Sequence, residues 1–176
     1  MRASKTKGRT NLLKGILDVI SSESIFETID YRKKSEDTIK QFMYQPLVES
    51  FTKKFINDGM IEDKARDKAK DSIVWESHMQ NTLHNMKLFG TYHRPDFEVK
   101  IDGLNVAIEI KKGSTGFDLR CGFGQGLMYQ AKYDFTIYLF IDTSDDKSIL
   151  KSLTNISEDE LIDSIWNNYN ILFSVV

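Results

Sequence analysis

Hydrophobic and polar residues alternate most clearly over residues 96–111. The alternation continues on both sides of an Asp102-Gly103 pair, and this arrangement is the strongest short-range sequence signal of a β-hairpin with a two-residue turn. Counting outward from the turn places Asp96 directly opposite Glu109 on the neighbouring strand. The pattern therefore predicts a hairpin in which two carboxylates face each other.

The two faces of this hairpin differ in polarity, because successive side chains of a strand point to opposite faces. The apolar face carries Phe97, Val99, Ile101, Leu104, Val106, Ile108 and Ile110. The polar face carries Asp96, Glu98, Lys100, Asn105, Ala107, Glu109 and Lys111. One face is suited to a hydrophobic core, and the other is suited either to solvent or to chemistry.

Helical spacing of apolar residues and local capping signals predict the remaining elements. We expect helices over residues 11–20, 35–55, 62–86, 119–132 and 145–153, and a further helix that begins at a capping box of Ser157 and Glu160. Pro46 should kink or break the second of these helices. Strands are expected over residues 135–141 and 170–176. The order hairpin, helix, strand, helix, strand indicates an α/β fold with a mixed central β-sheet flanked by helices.

The opposed carboxylates require charge compensation. Side chains facing each other across two strands have Cβ atoms roughly 5 Å apart, and like charges at that distance destabilise a sheet. A shared proton, a nearby cation or a divalent metal would compensate Asp96 and Glu109. Mg²⁺ takes oxygen ligands and is commonly held by one or two carboxylates, and Lys111 would stabilise developing negative charge. Alternatively, this is the solvated face of an ordinary antiparallel pair, and the opposition is accidental.

Pro95-Asp96, a gap of twelve residues and Glu109-Ile110-Lys111 together resemble the signature of the PD-(D/E)XK nuclease superfamily. The segment 124–129, which contains Gln125 and Tyr129, resembles the helix that this family often places beside its active site. Residues 35–48 resemble the first helix of restriction-endonuclease-like members, whose early glutamate approaches the metal. The resemblance covers roughly residues 35–142.

The resemblance implies a restriction-endonuclease-like fold and hydrolysis of phosphodiester bonds in DNA, with RNA not excluded. It implies that Asp96 and Glu109 bind Mg²⁺, with Mn²⁺ as a substitute, that Lys111 positions or activates water, and that Gln125 supports the site. Glu36 is a further candidate metal ligand, and Glu49 is the alternative candidate for the same role. We expect structure-specific cutting or processing rather than sequence-specific cleavage. The alternative is a catalytically silent nucleic-acid-binding or assembly module on the same fold.

Three further residues are candidates for the site. Arg120 at the start of the predicted helix and Tyr129 within it would contact nucleic acid, and His93 would line the site because it is close in sequence to Asp96. The glycines of the segment 122–126 lack the spacing of a dinucleotide or phosphate-binding loop. We interpret them as small residues that let this helix approach the sheet closely.

Composition and charge set the broad class of protein. The 176 residues are 40% hydrophobic and 28% charged, with a net charge of −2, which is ordinary for one globular domain. We expect a basic, flexible tail over residues 1–10 and a single nuclease-like domain over residues 11–176. The single cysteine, Cys121, excludes an internal disulfide and suits a reducing compartment, and no apolar run is long enough for a membrane span. We therefore expect a cytoplasmic protein, without a membrane partner, that forms a homodimer or higher homo-oligomer.

Overall fold

The computed structural model describes residues 3–75, 86–88 and 90–176. Its helices are α1 Lys7–Ile20, α2 Glu23–Thr28, α3 Glu36–Asn57, α4 Glu62–Ser72, α5 Gly116–Tyr129, α6 Ser148–Ser152 and α7 Ile156–Tyr169. Its strands are β1 Ile73–Trp75, β2 Met86–Leu88, β3 Thr91–His93, β4 Phe97–Ile101, β5 Leu104–Gly113, β6 Phe135–Asp142 and β7 Ile171–Val175.

A five-stranded mixed sheet with the order β1-β4-β5-β6-β7 forms the centre of the fold. Strands β1, β4 and β5 are antiparallel, whereas β5, β6 and β7 are parallel. Helix α5 is the crossover between β5 and β6, since a parallel pair cannot be joined by a tight turn. The predicted α/β class with a mixed central sheet flanked by helices is confirmed. Strands β2 and β3 pair separately as a short hairpin.

The predicted hairpin has the predicted register. Ile101 pairs with Leu104 across the turn, and the pairing continues outward to Phe97 and Ile108. Asp102 and Gly103 have φ values of 51° and 75°. Positive φ at both central residues defines the type I′ turn, whose twist matches that of the strands it joins. The turn thus fixes which side chains of β4 and β5 face each other.

The hydrophobic core lies on the side of the sheet that carries α1, α3 and α4. Its sheet residues include every member of the predicted apolar face of the hairpin, together with Phe135, Ile137, Leu139 and Ile141 of β6. Helix α5 packs on the opposite side, against β5 and β6, where aromatic residues of α5 and β6 are buried. The described helices include none that is long and apolar enough to cross a membrane.

The polar face of the hairpin is buried where α5 covers it. Glu98, Ala107 and Glu109 are buried, while Lys100 and Asn105 near the turn are exposed. The solvated-face interpretation is therefore wrong at the end of the hairpin that carries Glu109. Alternation with period two specifies that a face is polar, but it does not specify whether water or a helix lies above that face.

Glycine lets α5 approach the sheet closely. A Cβ added at Gly122 would lie 2.5 Å from the hydroxyl oxygen of Tyr138 on β6, whereas a Cβ at Gly124 would meet nothing within 4 Å. The Tyr138 hydroxyl donates a hydrogen bond of 2.8 Å to the carbonyl oxygen of Leu119. The interpretation of these glycines as packing residues is confirmed at Gly122.

The helix predicted over residues 62–86 ends at Ser72, and that part of the prediction is wrong. Residues 73–75 form β1, which extends the sheet beside β4, and residues 86–88 form β2; residues 76–85 lie outside the described part of the chain. The β-branched residues Ile73 and Val74 favour a strand. Pairing with β4 outweighs the helical spacing of the apolar residues.

Other boundaries also differ from the sequence predictions. Helix α3 continues through Pro46 without a break, and Met43 and Leu47 on either side are both buried in the core. Helix α7 begins after Asn155, so Ser157 is in its first turn and does not cap it. Helix α6 begins after Lys147, whose left-handed φ of 55° cannot continue a helix.

The starts of α5 and α1 show smaller shifts. Helix α5 begins at Gly116, earlier than predicted, because Thr115 and Asp118 form a capping box. Helix α1 begins at Lys7, within the segment predicted as a basic tail, and the Thr6 side chain accepts a hydrogen bond from the backbone of Arg9.

The close approach at Gly122 predicts opposite effects for two alanine substitutions in one helix. Gly122→Ala should lower the free energy of unfolding by about 1–3 kcal/mol, because the added methyl group overpacks against Tyr138. Gly124→Ala should raise it by about 0.5–1 kcal/mol, because alanine is favoured over glycine in a helix interior that has room for it. Urea unfolding followed by circular dichroism measures both, and equal stabilisation by the two substitutions would contradict the packing.

Candidate active site

A polar cavity of about 490 Å³ opens at the end of the hairpin that is remote from its turn. It is lined by Lys40, Tyr92, His93, Arg94, Asp96, Glu109, Lys111 and Gln125. The structure therefore brings together the four residues predicted as catalytic, which come from the start of β4, from β5 and from α5. His93 also lines the cavity, as expected from its position in the sequence.

Asp96 lies immediately before β4 and is 5% exposed. Its Oδ2 accepts a hydrogen bond of 2.7 Å from the backbone N–H of Ile110 on β5, so its carboxylate continues the pairing where the backbone ladder ends. Its Oδ1 lies 2.5 Å from Nζ of Lys40 on α3. Burial raises the pKa of Asp96, and the charge of Lys40 opposes that rise.

Glu109 projects from β5 into the same buried region and is 3% exposed. The Tyr129 hydroxyl on α5 lies 3.0 Å from its Oε2 and 2.7 Å from the carbonyl oxygen of Arg94. A hydroxyl has one hydrogen to donate, so it cannot donate to both oxygens at once. A protonated Glu109 resolves this conflict, because it donates to Tyr129 while Tyr129 donates to Arg94.

Electrostatics also favour a proton on Glu109. Burial, followed by the neighbouring charge of Asp96, raises the pKa of Glu109 to about 8. A carboxylic acid in that state is largely neutral at pH 7, so the two side chains carry a single negative charge between them. The Lys40 ammonium neutralises that charge. The charge compensation that the opposed carboxylates require therefore comes from a proton on Glu109 and from the Lys40 cation.

Lys40 is a buried cation in the floor of the cavity. Burial alone would lower the pKa of Lys40, but the charge of Asp96 together with its hydrogen bond makes the net direction upward. The Lys40 ammonium is also 3.4 Å from Oδ1 of Asp37. The Lys40 ammonium is therefore held at the site and does not extend into solvent.

Glu36 links the start of α3 to the site. Its Oε2 accepts a hydrogen bond of 2.6 Å from the backbone N–H of Lys112, and its Oε1 lies 3.6 Å from Nζ of Lys111. The competing candidate, Glu49, is exposed and accepts a hydrogen bond from Gln45 in another part of α3. Of the two helix carboxylates, the structure places Glu36 beside the predicted catalytic lysine.

Arg120 and Tyr129, the two residues predicted to contact nucleic acid, are not among the residues that line the cavity. Tyr129 is fully buried with its hydroxyl on Glu109, so it supports the site from within, and its ring has no surface to offer a ligand. Arg120 is exposed and lines a separate apolar groove with Phe123 and Leu161. Gln125 lines the cavity as predicted.

Three residues of the cavity were missed by sequence reasoning: Lys40, Tyr92 and Arg94. A signal for Lys40 was present, because it follows Glu36 by one helical turn and residues four apart share a helix face. Tyr92 and Arg94 flank His93 directly before the hairpin, where no periodic pattern distinguishes functional residues from loop residues.

Two carboxylates, Asp96 and Glu109, line the cavity, and each lies close enough to influence the charge of the other. Within residues 3–75, 86–88 and 90–176, no group of three or more His, Cys, Asp and Glu side chains is arranged to hold a metal ion. Mg²⁺ commonly uses only one or two carboxylates and completes its shell with water and substrate phosphate. Asp96 and Glu109 supply a pair of hard oxygen donors of the kind that Mg²⁺ takes.

The raised pKa of Glu109 predicts how the metal-free protein responds to pH. The pKa of Glu109 in the folded state, about 8, lies above its ordinary value of 4.5, so the folded state holds the proton more tightly than the unfolded chain. The contribution of Glu109 to the free energy of unfolding is fully present below pH 4.5, and it is lost as the pH rises to 8. The loss should reach a few kcal/mol, since one pKa unit corresponds to about 1.4 kcal/mol.

Denaturant unfolding across this pH range measures the effect. Glu109→Gln keeps the shape of the side chain without an ionisable group and should flatten most of the decline. Glu62→Gln, a substitution at an exposed position of α4, should keep the wild-type slope. A Glu109→Gln protein with an unchanged slope would contradict the protonated state.

Comparison of this chain with protein-family models, with curated proteins and with solved structures gives no significant match. The chemistry of the cavity is therefore inferred from its own geometry and from the spacing of its residues.

Proposed function

We propose that the protein is a Mg²⁺-dependent nuclease that hydrolyses phosphodiester bonds in DNA, as the resemblance to PD-(D/E)XK nucleases implies. One observation carries the proposal: two adjacent carboxylates, Asp96 and Glu109, are buried at the base of a polar cavity beside the ammonium groups of Lys40 and Lys111. Buried ionisable pairs with perturbed pKa values in a cleft are typical of functional sites.

Asp96 and Glu109 would hold the metal. When bound, a divalent cation supplies Lewis-acid charge compensation for a phosphate and activates water at neutral pH. Loss of the Glu109 proton makes its carboxylate available as a ligand, and Tyr129 then donates its hydroxyl hydrogen to that carboxylate. Asp96 keeps its orientation through the N–H of Ile110, which fixes one of its oxygens.

Lys111 and Gln125 would act on the substrate side of the cavity. The Lys111 ammonium is partly exposed, and Glu36 holds it from the direction of α3. This arrangement presents a positive charge to a phosphate oxygen and stabilises the negative charge that develops during hydrolysis. The Gln125 amide offers a donor and an acceptor to the same space.

The substrate and cellular setting belong to the same proposal. We favour structure-specific or processing activity on DNA, with RNA not excluded, in the cytoplasm, where the exposed thiol of Cys121 would stay reduced. A homo-oligomer is also part of the proposal, and exposed apolar residues of α7, such as Ile156 and Leu161, support it.

Removing the site residues should abolish Mg²⁺-dependent cleavage. Asp96→Asn, Glu109→Gln and Lys111→Met should each lower the rate at least about a hundredfold, because each removes a charge that acts in the transition state. The assay is a panel of linear, circular, single-stranded and four-way-junction DNA with and without Mg²⁺.

Glu98→Gln is the matched control for these variants. Glu98 is also a buried carboxylate on the polar face of the hairpin and also accepts a tyrosine hydroxyl, that of Tyr133 at 3.1 Å, but it does not line the cavity. Its replacement should leave cleavage within about threefold of wild type. Normal cleavage by Asp96→Asn or Glu109→Gln would refute the assignment.

One observation favours the silent module as a second candidate. The Lys40 ammonium already neutralises Asp96, and a fixed cation in that position competes with a metal ion. Calorimetry with Mn²⁺ separates the two functions. A nuclease should bind Mn²⁺ as the wild type and lose that binding as Glu109→Ala, whereas a silent module should bind it in neither form.

A further inference from the structure

The rim of the cavity carries an exposed aromatic ring beside several cations. Tyr92 on β3 lines the cavity and is 64% exposed. The Lys87 ammonium on the paired strand β2 lies 5.6 Å from the centroid of its ring. The next two residues, His93 and Arg94, line the same cavity. An exposed aromatic ring and positive charge are therefore found at the same cavity as the buried carboxylates.

An exposed tyrosine at a charged cavity requires an explanation other than packing. Apolar enclosure does not account for it, because Tyr92 is 64% exposed to solvent. Aromatic rings lying in a positively charged groove are the usual means by which proteins bind single-stranded nucleic acid, with bases stacked on the rings and the backbone held by cations. Lys87 lies over one face of the Tyr92 ring, so a base would stack on the opposite face, and the lysine charge would attract phosphate.

We propose that this rim binds a single-stranded segment of nucleic acid, with an unpaired base stacked on Tyr92 and the adjoining phosphodiester in the cavity. The inference rests on the proposed nuclease function and names its substrate class. The stacked base fixes the position of the strand, and Arg94 and Lys111 meet the backbone phosphate that reaches Asp96.

Duplex DNA fits this site less well for two reasons. Bases within a duplex have both faces covered by their neighbours, so stacking on Tyr92 would first require a base to be extruded, at a cost of a few kcal/mol. The carboxylates are also buried, at 5% and 3% exposure for Asp96 and Glu109, so the phosphate must enter the cavity. A single strand is flexible enough to turn its backbone inward.

Recognition of this kind is tolerant of sequence. Every base has a π-face, so stacking on one tyrosine discriminates weakly among bases. The substrate class is thus single-stranded ends, gaps or unpaired loops of arbitrary sequence. This is consistent with the expectation of structure-specific rather than sequence-specific cutting.

Binding without cleavage tests the inference separately from the proposed function. A fluorescent single strand of about 16 nucleotides and its duplex are titrated with the full-length protein in EDTA, and fluorescence anisotropy is recorded. The wild type should bind the single strand more tightly than the duplex. Tyr92→Ala should weaken single-strand binding between about fivefold and about a hundredfold, as expected for loss of one stacked base.

Two variants control for other effects. Tyr92→Phe keeps the ring and should retain wild-type binding, which separates stacking from a hydrogen bond of the hydroxyl. Phe117→Ala removes an aromatic ring that is 66% exposed but does not line this cavity, and it should also retain wild-type binding. Thermal unfolding confirms that each variant is folded.

The outcomes separate the two proposals. Equal affinity for duplex and single strand, or unchanged single-strand binding by a folded Tyr92→Ala protein, overturns the inference even if Mg²⁺-dependent cleavage is observed. Tyr92-dependent single-strand binding without cleavage in Mg²⁺ supports the inference and contradicts the nuclease. Single-strand cleavage that falls with Tyr92→Ala through KM, with kcat retained, supports both.

Discussion

The burial of two neighbouring carboxyl groups is the constraint on which the site depends. Taking Asp96 and Glu109 out of water would be prohibitive unless their charge were compensated. Lys40 places a positive charge beside Asp96, and the backbone N–H of Ile110 donates a hydrogen bond to it. Burial raises the pKa of Glu109, so that this side chain keeps a proton, and the Tyr129 hydroxyl hydrogen-bonds to it. The partners Lys40 and Tyr129 come from α3 and α5, which pack against the hairpin, so the packing of these helices and the electrostatics of the site cannot be separated.

Two local features of the chain bring these partners into place. The type I′ turn at Asp102 and Gly103 sets the register of the hairpin and thereby aligns Asp96 with Glu109. Gly122 allows α5 to lie close to β6, and the same helix then carries Tyr129 over Glu109 and Gln125 into the cavity. A turn and a glycine, neither of which lines the cavity, thus help to position the residues that do.

The sequence is informative where the determining interactions are local. The hairpin register and its apolar face follow from a two-residue turn and a two-residue period, and both were predicted correctly. The burial of Glu98 and Glu109, the ion pair of Lys40 and the placement of Tyr92 depend on which distant element packs on the hairpin, and no local pattern encodes that. Strand β1 was missed for the same reason, since its pairing with β4 decides its conformation.

The chain separations within the site have a consequence for folding. The bond from Asp96 to Ile110 spans 14 residues, whereas that from Glu36 to Lys112 spans 76. Closing a long loop costs more entropy than closing a short one, so we expect the hairpin to assemble first, while its carboxylates are still solvated and ionised. Docking of the helices then desolvates Glu109, and the chain takes up a proton from neutral solution. Proton uptake therefore marks the completion of the site, and a pH indicator in a weakly buffered refolding reaction would record that step.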